Sequence, residues 1–310
     1  YYSTADGRML SYPFNSSTTV LYVNLDKFAK AGLPTETDKL PKTWPEIEKA
    51  AQALKAAGEK CPMTVSWMGW TQLESFSTWH NIEFATLNNG FGGPQARLAI
   101  NTPLHQRHIE NLARMAKEGT FVYKGRGNLP DATFYSGECA INMGSSGSLA
   151  NIRRNADFKF MTLPMPYYPD VPDAPMNTAL GGASLWAMAG KSEAENKCVA
   201  DFFNFLSDPK IQAENHMRTG YLPVTMRAFE IAKESGYYEK NPGADVAVKQ
   251  MLKTTDKSRG IRLGYLPNIR TIVDEEFEKV WSGQQDAKAA IDAVMRRGNE
   301  QLTRFERIAR

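Results

Sequence analysis

Segments with helix start and stop signals alternate along this chain with short apolar runs that have strand character. A capping box at Thr43–Glu46, with Pro45 in the first turn, predicts a helix that ends before Gly58. Further helices are predicted after Asn101 and at 192–206, 211–218 and 287–308. Strands are predicted at 20–24, 140–143, 158–163 and 183–188. Strands that alternate with helices indicate an α/β layer architecture.

Length and charge narrow the class of protein. The 310 residues suffice for about two domains, and the proline-rich segment 164–175 is predicted to bridge two structural units. The formal net charge of +3 does not supply the basic face that non-specific nucleic-acid binding requires, so we expect no nucleic-acid partner. No run approaches the roughly 20 apolar residues of a membrane span, and the amino end does not resemble a signal peptide.

Three cysteines are too few and too scattered for a disulfide framework or a zinc site. Cys61 and Cys139 could form one bridge in an oxidising compartment, but their spacing does not decide this. Cys198 is predicted to be a small buried residue of a helix.

Three polar or glycine-rich segments are candidates for ligand contact. The Gly/Ser run 144–148 joins a predicted strand to a predicted helix, which suits an anion; the alternative is a flexible helix cap. The polar cluster 14–19 precedes a strand and could equally be a solvated turn. Gly181 and Gly182 permit close backbone approach, with a bend at a strand end as the alternative.

Two indoles and one arginine complete the set of candidates. Trp67 and Trp70 flank Gly69, and paired indoles suit a polyol or a quaternary ammonium group; a core aromatic pair is the alternative. Arg270 lies in the first turn of a predicted helix that runs to Trp281, and its guanidinium matches phosphate geometry. The competing interpretation is a surface pair with Asp274.

Signals for catalysis are weak. The four histidines lack the spacing of a metal-binding helix, and we expect His105 and His108 to be exposed on a helix. The spacing of Gly144–Gly147 is not that of a nucleophile elbow. We therefore predict no catalytic residue, no metal and no cofactor.

The chain also resembles a known family along its whole length. The resemblance is carried by the segments 14–18, 42–44, 69–70, 88–91, 145–153, 181–186, 219–223, 238–245 and 273–276. They are similar to those of the sn-glycerol-3-phosphate-binding receptors of bacterial ABC importers. These belong to the maltose-binding-protein-like class, which has two α/β lobes, crossovers between the lobes and a ligand in the cleft. Such receptors close by hinge motion.

The resemblance implies a ligand, a partner and a place in the cell. The ligand would be sn-glycerol 3-phosphate or a glycerophosphodiester such as glycerophosphocholine. The partner would be the permease of an ABC importer in the inner membrane, and the protein would be a periplasmic monomer when complete. The ligand contacts of the family fall on Ser17, Trp67, Trp70, Ser145, Gly182, Tyr221 and Arg270. The arginine and the neutral donors would hold phosphate, and the indoles would wall the rest of the ligand.

Lobe boundaries follow from the same resemblance. Residues 1–17 and 182–224 would be what the chain holds of the amino-terminal lobe, and residues 18–181 and 225–310 the carboxy-terminal lobe. The family has a signal peptide and about a quarter of the mature chain before this point. An incomplete amino-terminal lobe would have exposed strand edges and poor solubility, and a Tyr and a Glu contact would be missing. The alternatives are an oligosaccharide receptor of the same fold and, from another class, a glycerophosphodiester-processing enzyme.

Overall fold

Two separate sheets organise the fold. The structure is a computed structural model that describes Ser3 and residues 7–251 and 253–309. Its strands are β1 (Tyr12–Ser17), β2 (Thr19–Asn24), β3 (Cys61–Val65), β4 (Cys139–Ser145), β5 (Phe160–Leu163) and β6 (Gly181–Leu185). One sheet has the order β3-β4-β2-β5, and the other pairs β1 with β6. The predicted α/β class is confirmed.

The four-stranded sheet is mixed. β2 lies antiparallel to both β4 and β5, whereas β3 runs parallel to β4. A parallel pair needs a long crossover, and here the helices between Ser75 and Tyr135 supply it. All residues of β2 and β3 are buried, so neither strand shows the alternating pattern of a half-exposed strand.

Helices cover the four-stranded sheet and form most of the remaining structure. Their bounds are α1 (Leu25–Lys30), α2 (Trp44–Ala56), α3 (Ser75–Trp79), α4 (Thr86–Asn89), α5 (Pro103–Lys117), α6 (Leu129–Tyr135), α7 (Leu149–Asn155), α8 (Glu193–Leu206), α9 (Pro209–Thr219), α10 (Met226–Glu234), α11 (Tyr237–Lys240), α12 (Val246–Lys249), α13 (Leu266–Trp281) and α14 (Ala287–Ile308). In the part of the chain that the structure describes, no helix is long and apolar enough to cross a membrane.

Local signals explain where the predicted helices begin and end. Glu46 accepts the backbone N–H of Thr43 at 2.9 Å, which is half of the expected capping box of α2. Thr102 accepts the N–H of His105 at 3.3 Å and begins α5 together with Pro103. Gly220, with φ +82°, ends α9 in the left-handed region. The predictions for α2, α5, α8, α9 and α14 are confirmed.

Two of the three cysteines form a disulfide, and the third is exposed. Cys61 and Cys139 are register partners on β3 and β4 and form a disulfide. Cys198 is exposed, so the prediction of a buried residue is wrong. The reason is that α8 has no buried residue among the described ones: Phe203 stacks on Tyr12 at 5.0 Å, but Phe202 and Phe205 of its apolar face are exposed.

The expectation that His105 and His108 are exposed is also wrong. Both are fully buried, because they fall on the same helical stripe as Ile109, Leu112 and Met115. Polar contacts make this burial possible: Ser77 and Thr102 bond the ring of His105, and Gln72 bonds the ring of His108.

The structure also corrects the strand predictions. β1 and β3 were not predicted as strands, and β6 ends at Leu185 instead of Met188. β1 is polar at Asn15, Ser16 and Ser17, which favours a turn in a local interpretation, yet its backbone pairs with β6. The predicted strands at β2, β4 and β5 are confirmed.

Candidate ligand-binding site

The candidate site is built where the two sheets meet. The chain leaves β1 and enters β2 at Thr18, and it returns from β5 to β6 through residues 164–180. Ser16 pairs with Gly182 and also accepts the N–H of Leu222 at 2.6 Å. The resemblance also predicts hinges near residues 16–18, 180–183 and 221–225, and these three segments therefore lie side by side. They contain the predicted contact residues Ser17, Gly182 and Tyr221.

Ser17 and Trp70 meet at Gly181. A Cβ on Gly181 would lie 2.8 Å from Cζ2 of Trp70 and 3.1 Å from Oγ of Ser17, so only glycine leaves room for this contact. Ser17 is 4% exposed and Trp70 is 6% exposed. Among the described residues, Nε1 of Trp70 has no hydrogen-bond partner. The indole thus brings a buried, unsatisfied donor to this place.

Gly182 contributes through its backbone. Its φ is +111°, and a Cβ there would lie 2.0 Å from the carbonyl oxygen of Asn15. The next residue, Ala183, donates its N–H to Oδ1 of Asn15 at 2.8 Å. Glycine is therefore required for β6 to approach β1 this closely, which fits the prediction that this segment offers backbone groups.

Ser145 and Tyr221 meet over the Gly/Ser loop. The strand–loop–helix arrangement predicted for residues 144–148 is confirmed, with a 3₁₀ turn at Ser146–Ser148 before α7. A Cβ on Gly147 would lie 2.8 Å from Cε1 of Tyr221 and 3.3 Å from Oγ of Ser145. Ser145 already caps this turn by accepting the N–H of Gly147 at 3.1 Å.

A buried carboxylate fixes this loop from behind. Asp131, at the start of α6, accepts hydrogen bonds from Ser148 at 2.6 Å and from Asn142 at 3.0 Å. It also accepts the hydroxyl of Ser66, the residue before Trp67. One side chain therefore ties the Gly/Ser loop to the loop that bears the first indole. Sequence reasoning missed Asp131, because its partners come from other elements.

Tyr22 holds the same loop from the sheet. Its hydroxyl donates to the carbonyl oxygen of Ser145 at 2.9 Å. Burial, followed by the nearby charge of Asp131, raises the pKa of Tyr22 well above its ordinary value. The hydroxyl therefore stays protonated and remains a donor.

The two tryptophans have different surroundings. Trp67 is 43% exposed, with φ +55°, whereas Trp70 is buried. The N–H of Trp67 bonds the carbonyl oxygen of Gly127 at 2.7 Å, and its ring edge lies 3.7 Å from where a Cβ on Gly127 would be. The core-pair alternative therefore does not hold for Trp67, whose ring is available at the surface.

Arg270 is held by a glutamate that sequence reasoning missed. Its Nε and Nη2 donate to the two carboxylate oxygens of Glu74 at 2.6 and 2.7 Å. The alternative pairing with Asp274 is not what the structure shows. A signal was present: Glu74 is the one Asp, Glu, Lys or Arg between residues 61 and 82. A lone charge in such a stretch indicates a buried pair.

Arg270 lies against the segment that bears the indoles. Glu74 closes the π-helical turn Trp70–Glu74, and a Cβ on Gly69 would lie 3.9 Å from Cγ of Arg270. One turn further along α13, the pKa of Asp274 is raised to about 6, chiefly by burial. This wall of the site therefore combines a paired cation with acidic neighbours.

The structure thus brings the seven predicted residues into three groups. Ser17, Trp70 and Gly182 lie where β1 meets β6; Ser145 and Tyr221 lie at the Gly/Ser loop; Trp67 and Arg270 lie along the segment that ends at Glu74. Thr18 joins the first two groups: its carbonyl oxygen accepts the N–H of Ser146 at 2.8 Å, and its own N–H donates to Oγ of Ser146 at 3.2 Å. Hydroxyls, backbone groups and one paired guanidinium are suited to hold a small anion. Among the described residues, no cluster of His, Cys, Asp and Glu could hold a metal ion.

Comparison with known proteins places the chain in a family. A model described as "Bacterial extracellular solute-binding protein" matches residues 1–245. The chain belongs to this solute-binding protein family. A member from Yersinia enterocolitica, the sn-glycerol-3-phosphate-binding periplasmic protein UgpB, is 50% identical over 99% of this chain and 70% of its own length. UgpB of Escherichia coli is 49% identical over 99% of this chain and 70% of its own length.

Solved solute-binding proteins share the fold. UgpB from Mycobacterium tuberculosis in complex with glycerophosphocholine has a TM-score of 0.78 and 24% identity, and the match covers 98% of this chain and 73% of that one. Maltose-bound MalE3 of T. maritima has a TM-score of 0.72 and 16% identity, over 95% and 73% of the two chains. The maltose-binding-protein-like fold class is therefore confirmed. The solute-binding relatives are named as binding proteins and not as enzymes.

Proposed function

We propose that the protein is an extracytoplasmic receptor that binds sn-glycerol 3-phosphate or a glycerophosphodiester and delivers it to the permease of an ABC importer. The observation that carries this proposal is the 50% identity, along 99% of the chain, to a relative named as an sn-glycerol-3-phosphate-binding periplasmic protein. The disulfide between Cys61 and Cys139 supports a periplasmic place, because such bonds persist in oxidising compartments.

Each predicted contact has a chemical role in this proposal. Arg270, the hydroxyls of Ser17, Ser145 and Tyr221, and the backbone N–H of Gly182 would donate to phosphate oxygens. Trp67 and Trp70 would form the wall around the glycerol or around the group esterified beyond the phosphate. An exposed Trp67 suits a quaternary ammonium group on a diester, since indole faces attract such cations.

The same proposal gives the crossovers a function. Residues 1–17 and 182–224 would move as one lobe, and residues 18–181 and 225–310 as the other. The backbone contacts of Ser16 with Gly182 and Leu222 support hinges near these residues, because the three chain segments that they belong to lie together between the two sheets. Closure would then carry the donors of one lobe onto a ligand bound to the other.

Calorimetric titration tests the proposal. The ligands are sn-glycerol 3-phosphate, glycerophosphocholine, inorganic phosphate and maltose, and the protein is the wild type. We expect one or both phosphate esters to bind and maltose not to bind. Binding of maltose without any phosphate ester would overturn the proposal in favour of an oligosaccharide receptor.

Variants of Arg270 test the role of the cation. Arg270→Lys keeps the charge but loses the planar fork, so we expect ester affinity to fall by about tenfold or more. Arg270→Ala leaves Glu74 buried without this partner, so its melting temperature must be measured beside its affinity. Arg296→Ala, which removes an exposed arginine from α14, is the matched control and should not change affinity. Unchanged affinity in both Arg270 variants would refute the assigned role.

A further inference from the structure

We propose that Glu74 is a specificity-determining residue that biases the site towards singly charged phosphodiesters over doubly charged phosphomonoesters. It acts through Arg270, whose guanidinium it fixes and whose charge it cancels. The inference rests on the proposed function, because it assumes that Arg270 faces the phosphate of the ligand.

The first step is geometric. Glu74 uses both carboxylate oxygens to bond Nε and Nη2 of Arg270, at 2.6 and 2.7 Å, so the guanidinium plane is fixed relative to the segment that bears Trp70. The side chain of Glu74 is 4% exposed and that of Arg270 is 37% exposed. The carboxylate therefore lies behind the guanidinium, on its protein side, and the cation forms the more accessible end of the pair.

The second step is a count of charge. Arg270 and Glu74 sum to zero, and the remaining predicted donors are neutral hydroxyls and backbone groups. Asp274 follows one turn later on the same helix and adds no positive charge. This pair therefore offers a phosphate directed hydrogen bonds while adding little net positive potential of its own.

The third step concerns the ligand. A phosphodiester carries one negative charge, whereas a phosphomonoester above pH 7 carries nearly two. Hydrogen bonds to the phosphate oxygens serve both, but the carboxylate of Glu74 repels the second charge of the monoester. For a charge a few ångströms beyond the guanidinium, at a dielectric between those of protein and water, this repulsion corresponds to roughly five- to tenfold in affinity.

A merely structural role for Glu74 predicts something different. If the carboxylate only held Arg270 in place, its replacement would weaken the doubly charged ligand at least as much as the singly charged one. The ratio of the two affinities is therefore the informative quantity: loss of position leaves it unchanged or shifts it towards the diester, whereas loss of the negative charge shifts it towards the monoester.

The experiment measures that ratio by calorimetry at pH 8. The two ligands are sn-glycerol 3-phosphate and its methyl phosphodiester, which share the glycerol end and differ by one charge. Glu74→Gln removes the charge and keeps one acceptor for Arg270; Glu74→Asp keeps the charge and shortens the side chain. We expect Glu74→Gln to shift the ratio by about five- to tenfold towards the doubly charged monoester. We expect Glu74→Asp to weaken both ligands with the ratio unchanged.

The outcomes separate the two proposals. Wild-type protein that binds neither ligand, and does not bind glycerophosphocholine either, would overturn the proposed function. Wild-type protein that binds both, with an unchanged or opposite ratio in Glu74→Gln, would overturn the role of Glu74 alone. If Glu74→Gln does not fold, the wild type still decides: binding of the monoester more than tenfold tighter than its methyl diester would overturn the inference, and comparable or tighter binding of the diester would support it.

Discussion

Mild acid should destabilise this protein through three buried histidines. His80, His105 and His108 pack around Phe76, with ring centroids 4.2, 6.0 and 3.9 Å from that of the phenyl ring. Burial lowers the pKa of His80 to about 4 and that of His105 to about 3, and it lowers the pKa of His108 well below its ordinary value.

The hydrogen bonds of the buried histidines are those that neutral imidazole rings make. His80 accepts the N–H of Tyr168 at one nitrogen and bonds the carbonyl oxygen of Phe76 with the other. The hydroxyl of Ser77 donates to the carbonyl oxygen of Leu73, so it accepts from the ring of His105. A second proton on His80 would replace an acceptor by a donor that faces another donor. Protonation therefore costs hydrogen bonds as well as desolvation.

The magnitude follows from linkage. At pH 7.5 all three histidines are nearly neutral in both states, whereas at pH 5.5 those of the unfolded chain, with pKa about 6.5, are mostly protonated. Folded-state pKa values of about 4 for His80 and about 3 for His105 keep these rings neutral at pH 5.5, and burial, which lowers the pKa of His108 well below its ordinary value, does the same for the third ring. Each histidine then lowers the free energy of unfolding by about 1.4 kcal/mol, so the cluster lowers it by about 4 kcal/mol.

Other titrating groups also change the free energy of unfolding between pH 7.5 and pH 5.5. The pKa of His216 is also lowered by burial, so this residue acts in the same direction. The raised pKa of Asp274 acts in the opposite direction, since the folded state binds its proton more tightly as the pH falls towards 5.5. That carboxylate is partly exposed, so its effect is reduced by solvent. The lowered pKa values of Glu36 and Glu276 matter only below about pH 4.5.

Urea unfolding followed by tryptophan fluorescence, without ligand, is the assay. The free energy of unfolding should fall by about 4 kcal/mol from pH 7.5 to pH 5.5. In His105→Gln, which keeps a donor and an acceptor, the fall in the free energy of unfolding between pH 7.5 and pH 5.5 should be smaller by about 1.4 kcal/mol, whatever the stability of the variant at pH 7.5. A change below about 1 kcal/mol in the wild type, or an unchanged dependence in His105→Gln, would refute the reasoning.

Three further changes have defined outcomes. Cys139→Ala opens a disulfide that joins residues 78 positions apart, so the free energy of unfolding in urea should fall by about 4 kcal/mol, and reductant should then have no further effect. Gly181→Ala would place a Cβ 2.8 Å from the ring of Trp70, so ester affinity measured by calorimetry should fall at least about tenfold. Gly69→Ala, whose Cβ would lie 3.4 Å from Cγ1 of Val273, an ordinary van der Waals contact, is its control. Trp67→Ala should weaken glycerophosphocholine but not inorganic phosphate; equal losses would contradict its position as a wall.

Much of the helical structure was predictable because the decisive signals are local. The carboxylate of Glu46, the proline at 103 and the left-handed glycine at 220 act within one turn of the residues that they cap. β1 and β3 were missed for the opposite reason. β1 is polar at Asn15, Ser16 and Ser17, and Pro62 interrupts the short apolar run of β3, so the sequence of each strand argues locally against a strand although its backbone pairs in the fold.

The predicted contact residues and the residues that support them differ in the same way. Ser17, Trp70 and Arg270 could be named from the resemblance. The lone charge of Glu74 indicated a buried pair, but the sequence did not show that its partner is Arg270, 196 positions away. Missing Glu74 changes the prediction of ligand specificity, because its negative charge offsets that of Arg270. From an arginine alone, we would predict a site whose affinity increases with the negative charge of the ligand. From an arginine that is already bonded to a buried carboxylate, we predict a site that selects its ligand by hydrogen-bond geometry and disfavours a second negative charge. Under our proposal, the supporting residue Glu74, and not only the contact residue Arg270, therefore biases the choice between phosphate esters.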